Sequence, residues 1–348
     1  MSVSKRKEFK IFLLIAIVLK CSSANLSTVC KKEAADDMKL YFSCECTKDI
    51  QDLLFDDHLF FSNAVDVTIS NCASVDLIAN SLESDNLEIL RLRNIDKLFI
   101  DIILNFQFKA LALENIGLIE ELSRGIFLRV TNMSLLYVRN THVKLLSEST
   151  FQDTHIKNAT FINVTIDKVG KSSLNFTVDE KDFKKSVVLF EQCRFGEMDV
   201  NAISAEGIET TTIVSSEFKT FSKSTLSVTS PNFMFDNNIL PCKSDRSCSG
   251  VVPDIVKSLH RNSGPSNICA IAQTNYCNQN RKQTLLDSVK MLEKCNLNFT
   301  KWGIDTRCLS FSKVFANSAE RKLTLSFTGY AVFFIIFELL FYIANCHV

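Results

Sequence analysis

The sequence predicts a solenoid, an α/β stack of short parallel strands, one per repeat, joined by irregular returns and closed by disulfide-bonded caps. Three observations carry that expectation. First, an apolar-x-apolar-x-Asn pattern recurs at residues 67–71, 90–94, 111–115, 136–140 and 159–163, with weaker copies ending at Gln192, Ser215 and Asn237. The fifth positions follow one another at steps of 23, 21, 25, 23, 29, 23 and 22 residues. Second, an apolar residue stands eleven or twelve places beyond each of the first seven: Leu82, Phe106, Phe127, Phe151, Leu174, Ile203 and Leu226. Third, cysteines gather before the first copy and after the last. One such strand cannot bury its apolar face alone, so neighbouring units must stack and share a core.

The unit at 108–127 shows the grammar. Leu111 and Leu113 alternate with Ala112 and Glu114, the signature of a strand with one buried face. Asn115 follows, then Ile116, Leu118 and Ile119, a polar turn, and Phe127. The neighbouring units repeat it with Leu90-Arg91-Leu92-Arg93-Asn94 before Phe106, and Leu136-Tyr137-Val138-Arg139-Asn140 before Phe151.

These ladders resemble the leucine-rich repeat family: Leu87, Leu90, Leu92 and Leu98, then Phe108, Leu111, Leu113 and Leu118, stand where that family places its leucines. The family's asparagine falls one place past the fifth position, which here holds Cys72, Ile95, Ile116, Thr141, Val164, Cys193, Ser216 and Asn238. Only the last is asparagine, so the inter-turn asparagine ladder of the family is expected to be largely missing. The resemblance covers roughly residues 60–240 and implies one strand plus a long return per unit. A right-handed parallel β-helix is the alternative, since it stacks turns of similar length and uses Asn as a turn former.

From the amino terminus, residues 1–24 read as a secretory signal: Lys5, Arg6, Lys7 and Lys10, an apolar stretch at 11–19, then Ser22 and Ala24 at the cleavage site. A cysteine cap is expected at 25–64, about eight repeats at 65–240, a second cap at 241–316 and an attachment tail at 317–348. Cys30, Cys44, Cys46 and Cys72 supply the first cap, and Cys242, Cys248, Cys269, Cys277, Cys295 and Cys308 the second. Four and six cysteines leave 3 and 15 pairings open. Zinc is disfavoured because Cys44-x-Cys46 lacks a second close pair and a nearby His. Cys193 stands apart and reads as a small buried residue. Within the second cap, 249–266 reads as loop around a short helical piece, and 281–295 as a helix with Leu285, Leu286, Val289, Met291 and Leu292 on one side.

Six sequons follow the signal, at Asn25, Asn132, Asn158, Asn163, Asn175 and Asn298, as expected of a glycosylated ectodomain. The apolar run at 323–343 is long enough to span a bilayer. It reads either as a single-pass anchor, with Glu338 inside it, or as a glycolipid signal with attachment at Asn317 or Ser318. Only five residues follow, so signalling is expected to need a partner.

Lys+Arg and Asp+Glu are both 39 in 348 residues, which provides no electrostatic case for nucleic acid. Two columns of strand residues should point outward. One is Thr68, Arg91, Ala112, Tyr137, Thr160, Leu189, Thr212 and Met234; the other is Ser70, Arg93, Glu114, Arg139, Ile162, Glu191, Val214 and Asp236. Arg91, Arg93, Tyr137 and Arg139 are the candidate ligand-binding patch, because Arg and Tyr are enriched at binding hot spots. No paired carboxylates, nucleophile motif or Gly-rich phosphate loop is evident, so an enzyme, a metal and a cofactor are not expected. The expected function is cell-surface recognition of a protein (adhesion, ligand capture or co-receptor work). A spacer without a ligand is the alternative, and a β-helix enzyme acting on polysaccharide a distant third.

Overall fold

The computed structural model describes residues 28–34, 40–55, 61–78, 82, 86–152, 154–242, 250–263, 267–277, 281–292, 295, 304 and 308. The first strands are β1 (Cys30–Ala34), β2 (Leu40–Glu45), β3 (Asp52–Phe55), β4 (Ala64–Ile78), β5 (Ile89–Asp101) and β6 (Ala110–Leu122), followed by helix α1 (Arg124–Phe127). Next come β7 (Asn132–Arg139), β8 (His142–Leu146), β9 (His155–Ile162), β10 (Thr165–Val169) and β11 (Leu174–Thr177). A 3-10 segment (Glu180–Lys185) leads into β12 (Val187–Glu191), β13 (Arg194–Met198), β14 (Ile203–Glu206), β15 (Thr210–Val214), β16 (Glu217–Phe218), β17 (Leu226–Val228) and β18 (Asn232–Asp236). Helices α2 (Val251–Ser263), α3 (Ile268–Thr274) and α4 (Leu285–Met291) end the described elements.

The strands form a parallel β-solenoid of about eight turns. Each turn is defined by its exit residue: Asn71, Asn94, Asn115, Asn140, Asn163, Gln192, Ser215 and Asn237 for turns one to eight. All eight have positive φ, between 48° and 60°. A left-handed residue turns the chain sharply between two strands, and Asn tolerates it better than other L-residues with a β-carbon. The strand before each exit stacks on its counterparts as one sheet, the exit face: β4, β5, β6, β7, β9, β12, β15 and β18 pair in parallel and in register. The segment after each exit forms a second sheet, through the later halves of β4, β5 and β6 and then β8, β10, β13 and β16. A third sheet, β11, β14 and β17, appears in the later turns.

The one-strand unit with a long return is therefore corrected: the return is itself a strand, as in the β-helix alternative. Its pattern was available, since Ile95-x-x-Leu98-x-Ile100 is buried at each apolar place. The first cap also differs from the expectation. Its β2 and β3 stack in parallel on the two halves of β4, so the cap contains a solenoid turn of its own. β1 pairs antiparallel with β2 at the outer edge, opposing Cys30 to Cys44, and covers an edge that would otherwise stay open. Cys30–Cys44 and Cys46–Cys72 are disulfides, the second tying the cap to turn one.

Side-chain amides knit the exits together. Asn71 Nδ2 donates to Glu45 Oε1 at 2.8 Å, Asn94 to Asn71 at 2.8 Å, Asn115 to Asn94 at 2.8 Å, Asn140 to Asn115 at 2.8 Å and Asn163 to Asn140 at 2.9 Å. An asparagine ladder is thus present, but on the outside and one residue earlier than the family position. That family position is a buried column throughout, apolar at Ile95, Ile116 and Val164 and polar in the last turns. There Cys193 N–H donates to Ser216 Oγ, Ser216 N–H to Asn238 Oδ1 and Asn238 N–H to Asn275 Oδ1. Asn275 lies just beyond α3, so this inner chain of bonds joins the solenoid to the helical end. Arg281 caps the outer row by donating to Asn237 Oδ1 at 2.9 Å.

Phenylalanine fills the interior of the later turns. Rings of Phe127 and Phe151 lie 4.7 Å apart, Phe161 and Phe190 4.9 Å, Phe195 and Phe218 5.1 Å, and Phe218 and Phe235 5.7 Å. Six of the seven closing residues are buried. Phe106 is the exception, 62% exposed. Asn105 Oδ1 accepts from Gln107 N–H at 2.7 Å, a local turn with Phe106 at its tip, and Leu104 takes the core place.

The helical end departs from its expectation too. Residues 251–263 are one helix, with Pro253 in the first turn, where a missing N–H costs nothing. In α4, Leu285, Leu286 and Val289 are buried but Met291 is exposed. Cys242–Cys277 is a disulfide, and Cys269 and Cys295 are disulfide-bonded as well. Ile304 and Cys308, the described residues of a second compact unit at 304–348, are both buried, and Cys308 is disulfide-bonded.

Substitutions at three positions test this architecture. A β-carbon on Gly196 would stand 2.0 Å from the Asp167 carbonyl oxygen of the turn below, whereas on Gly125 the nearest atom is Ser123 Oγ at 3.4 Å. Urea unfolding should show Gly196→Ala costing about 1–3 kcal/mol, and Gly125→Ala changing stability by no more than about 1 kcal/mol. At the ladder, Asn115→Gly should cost about 1 kcal/mol through its lost amide bonds. Asn115→Ala should cost a further ~1–2 kcal/mol, because alanine must hold the left-handed conformation.

Candidate recognition surface

Register aligns both predicted outward columns, although Val214 in the second is buried. Thr68, Arg91, Ala112, Tyr137, Thr160, Leu189, Thr212 and Met234 are successive cross-strand partners. So are Ser70, Arg93, Glu114, Arg139, Ile162, Glu191, Val214 and Asp236. Cross-strand neighbours are about 4.8 Å apart, so Arg91, Arg93, Tyr137 and Arg139 are brought onto one face within three turns.

Their charges are not equally available. Arg91 pairs with Asp66 at 2.5 Å, with both side chains largely buried. Arg93 pairs with Glu114 at 2.8 Å across one turn. The exposed Arg139 has no side-chain partner among the described residues. Neither has Glu191 two turns on, nor Asp236. Around them Leu135, Thr160, Ile162, Val187, Leu189 and Thr212, all uncharged, are half-buried. Burial raises the Glu191 carboxyl above the ordinary glutamate value of 4.5, since Ile162 and Val214 flank it in its column.

The second sheet handles its charge differently. Lys144 pairs with Glu120 at 2.8 Å, His142 with Asp167 at 2.9 Å, Arg194 with Glu217 at 3.8 Å, each between neighbouring turns. Such exposed pairs add little stability individually. They neutralise part of that sheet, where Lys97, Lys168 and Glu197 are exposed without an ion pair among the described residues; on the exit face Arg139, Glu191 and Asp236 stand among half-buried apolar and threonine side chains.

The remaining predicted sites divide in three. Asn25, Asn298, Cys248, Asn317, Ser318, the signal at 1–24 and the apolar run at 323–343 lie outside the described residues. Asn132 is exposed and Asn175 half-buried on outward strand positions. Two sequons are engaged: the Asn163 amide donates to Asn140, and the Asn158 amide, turned to the orientation its neighbours favour, directs its nitrogen at the carbonyls of Lys185 and Lys157 at 3.2 Å each. Cys193 is a free, fully buried thiol pushed up to about 12 by burial, which makes it inert.

Among the described residues no group of three or more His, Cys, Asp or Glu side chains could hold a metal ion. The interior void between Leu113, Phe127, Val138, Phe151 and Phe161 is lined wholly by apolar side chains, so no polar group converges there on a substrate. No helix among the described residues is long and apolar enough to cross a membrane. No family model, no curated protein and no solved structure matches this chain.

Glu191 offers a test of the environment of this face. A carboxyl whose folded pKa is raised penalises folding when ionised. The penalty is absent below the unfolded value near 4.5, grows as pH rises through the folded value, and is complete above it. Glu191→Gln should therefore raise the thermal midpoint slightly at pH 7 and leave it unchanged at about pH 3. An equal rise at both values would show that the carboxyl is not desolvated.

Proposed function

We propose that this chain is a recognition protein displayed outside the cell, binding another protein through the exit face of its solenoid. One observation carries the reading: a continuous parallel sheet holds Arg139, Glu191 and Asp236 without side-chain partners among the described residues, beside the half-buried Tyr137, Ile162 and Leu189. Desolvated aromatic and arginine side chains on a pre-formed surface bind with little ordering cost, and Tyr137 and Arg139 share one strand of that surface.

The disulfides support folding in an oxidising compartment, extracellular or secreted. The signal at 1–24 and the apolar run at 323–343 extend this reading to surface attachment, through a glycolipid at Asn317 or Ser318 or through a membrane helix. Asn132 and Asn175 are the sequons whose side chains are open to modification. The likeness to extracellular leucine-rich proteins belongs to the same proposal and rests on the buried leucine columns and disulfide-bonded ends. The alternative is a spacer, for which both sheets should be equally inert.

A photo-reactive residue at Tyr137, compared with one at Lys168 on the second sheet, separates the two on cells expressing the full chain. Recognition predicts a discrete protein adduct from position 137 and none from 168. A spacer predicts no adduct from either. On the same cells, phospholipase C should release the chain only if it carries a glycolipid.

A further inference from the structure

We infer that the partner of the exit face is a second copy of this chain, joined face to face about a two-fold axis that runs along the strand of turn five. This deepens, and rests on, the reading of that face as a recognition surface. A two-fold along the strand direction keeps each outward column opposite itself and reverses the turn order, so turn four of one copy meets turn six of the other.

The column of charges is complementary under that operation. Ile162, in turn five, meets its own counterpart. Arg139, one turn before it, meets Glu191, one turn after it. Arg93, three turns before, meets Asp236, three turns after. By symmetry each meeting occurs twice, which is the self-complementarity an isologous interface requires. Arg139, Glu191 and Asp236 have no side-chain partner among the described residues of one chain, and each meets an opposite charge under the operation; Arg93 brings with it the Glu114 it already pairs with. The other column behaves consistently: Thr160 meets itself, and Tyr137 meets Leu189, an aromatic against an aliphatic side chain. Desolvation of the Glu191 carboxyl in the single chain is relieved by an arginine placed against it.

Size agrees with a reversible pair. Seven turns at about 4.8 Å by five residues at about 3.3 Å give each copy a face of roughly 550 Å². The pair then buries about 1,100 Å², within reach of a specific but exchangeable interface and too little for an obligate one. Asn158 lies on the turn-five strand, so a glycan there would hold two copies apart, and the pair requires that sequon to be unmodified. Because the operation reverses the solenoid axes, the helical ends lie at opposite ends of the pair.

Two differently tagged copies of the full chain, co-expressed and captured through one tag, test this. Wild-type should capture wild-type. Arg139→Glu with itself, and Glu191→Arg with itself, should each lose about tenfold or more, because like charges are forced together. Mixing the Arg139→Glu chain with the Glu191→Arg chain should restore capture, since each mutant charge then faces its opposite; that rescue also shows both variants to be folded. Absence of wild-type capture, variants that capture normally, a mixture that does not recover, or a glycan on Asn158 would each overturn the self-pairing. A Tyr137 adduct with a different protein, without self-capture, overturns it while leaving the recognition reading intact; no adduct of any kind removes both.

Discussion

A left-handed residue at every strand exit is the constraint on which this molecule depends. Eight residues in succession hold φ near 50–60°, and each reverses enough chain to start a second strand without a loop. Asparagine suits the place twice over. Its backbone tolerates the conformation, and its amide carries both a donor and an acceptor at the spacing of neighbouring strands. Five asparagines stacked in register therefore become a hydrogen-bonded row from Glu45 to Asn163. Past Gln192 an inner chain of bonds through Ser216, Asn238 and Asn275 is added one residue inward. The solenoid is thus tied from outside in its first half, and in its last turns both from inside and by the outer bonds of Asn237 to Ser215 and Arg281 to Asn237.

The interior follows from the same geometry. Stacked parallel turns bring like positions into columns, so a residue type that packs well against itself is repeated. Leucine serves in turns two to four and phenylalanine afterwards, with rings in contact from Phe127 to Phe235. This accounts for much of the 28 phenylalanines in the chain. A stack of this kind has two open ends. At one, β1 and two disulfides close the edge; at the other, Asn275 and Arg281 bond to the last turn while α2 packs against β17 and α3 against β18, with α4 packed on both helices.

Surface chemistry on such a scaffold is also columnar, and this is why charge pairing differs between sheets. On the second sheet Glu120 and Lys144, His142 and Asp167, and Arg194 and Glu217 pair between adjacent turns, while Lys97, Lys168 and Glu197 have no ion pair among the described residues. The exit face alternates only from Arg93 to Arg139, then passes through Ile162 to Glu191, Val214 and Asp236. Unpaired charges of opposite sign, separated along a rigid axis, are left facing solvent.

Much of this was legible in the sequence. The apolar-x-apolar-x-Asn copies gave the turns, their register and both outward columns, because strand alternation and strict stacking leave no freedom in which side chain faces where. The weak copies at Gln192 and Ser215 were located correctly by step length alone, and Cys193 by its column. Other features depended on what lies beside a segment rather than within it. Whether the return is a strand was decided by the neighbouring turns that pair with it, since Ile95-x-x-Leu98 alone fits either expectation. Phe106 lost its core place to Leu104 through a turn made by the Asn105 side chain. The asparagine row could not be read as a ladder until residues 21 to 25 apart were known to lie one strand spacing away. The same holds for the binding face: Arg91, Arg93, Tyr137 and Arg139 are visible as a patch in the sequence, but only the fold shows that Asp66 and Glu114 neutralise two of them. Local pattern determined the columns, and inter-turn packing decided which members of each column remain available, because pairing energy belongs to neighbours in space.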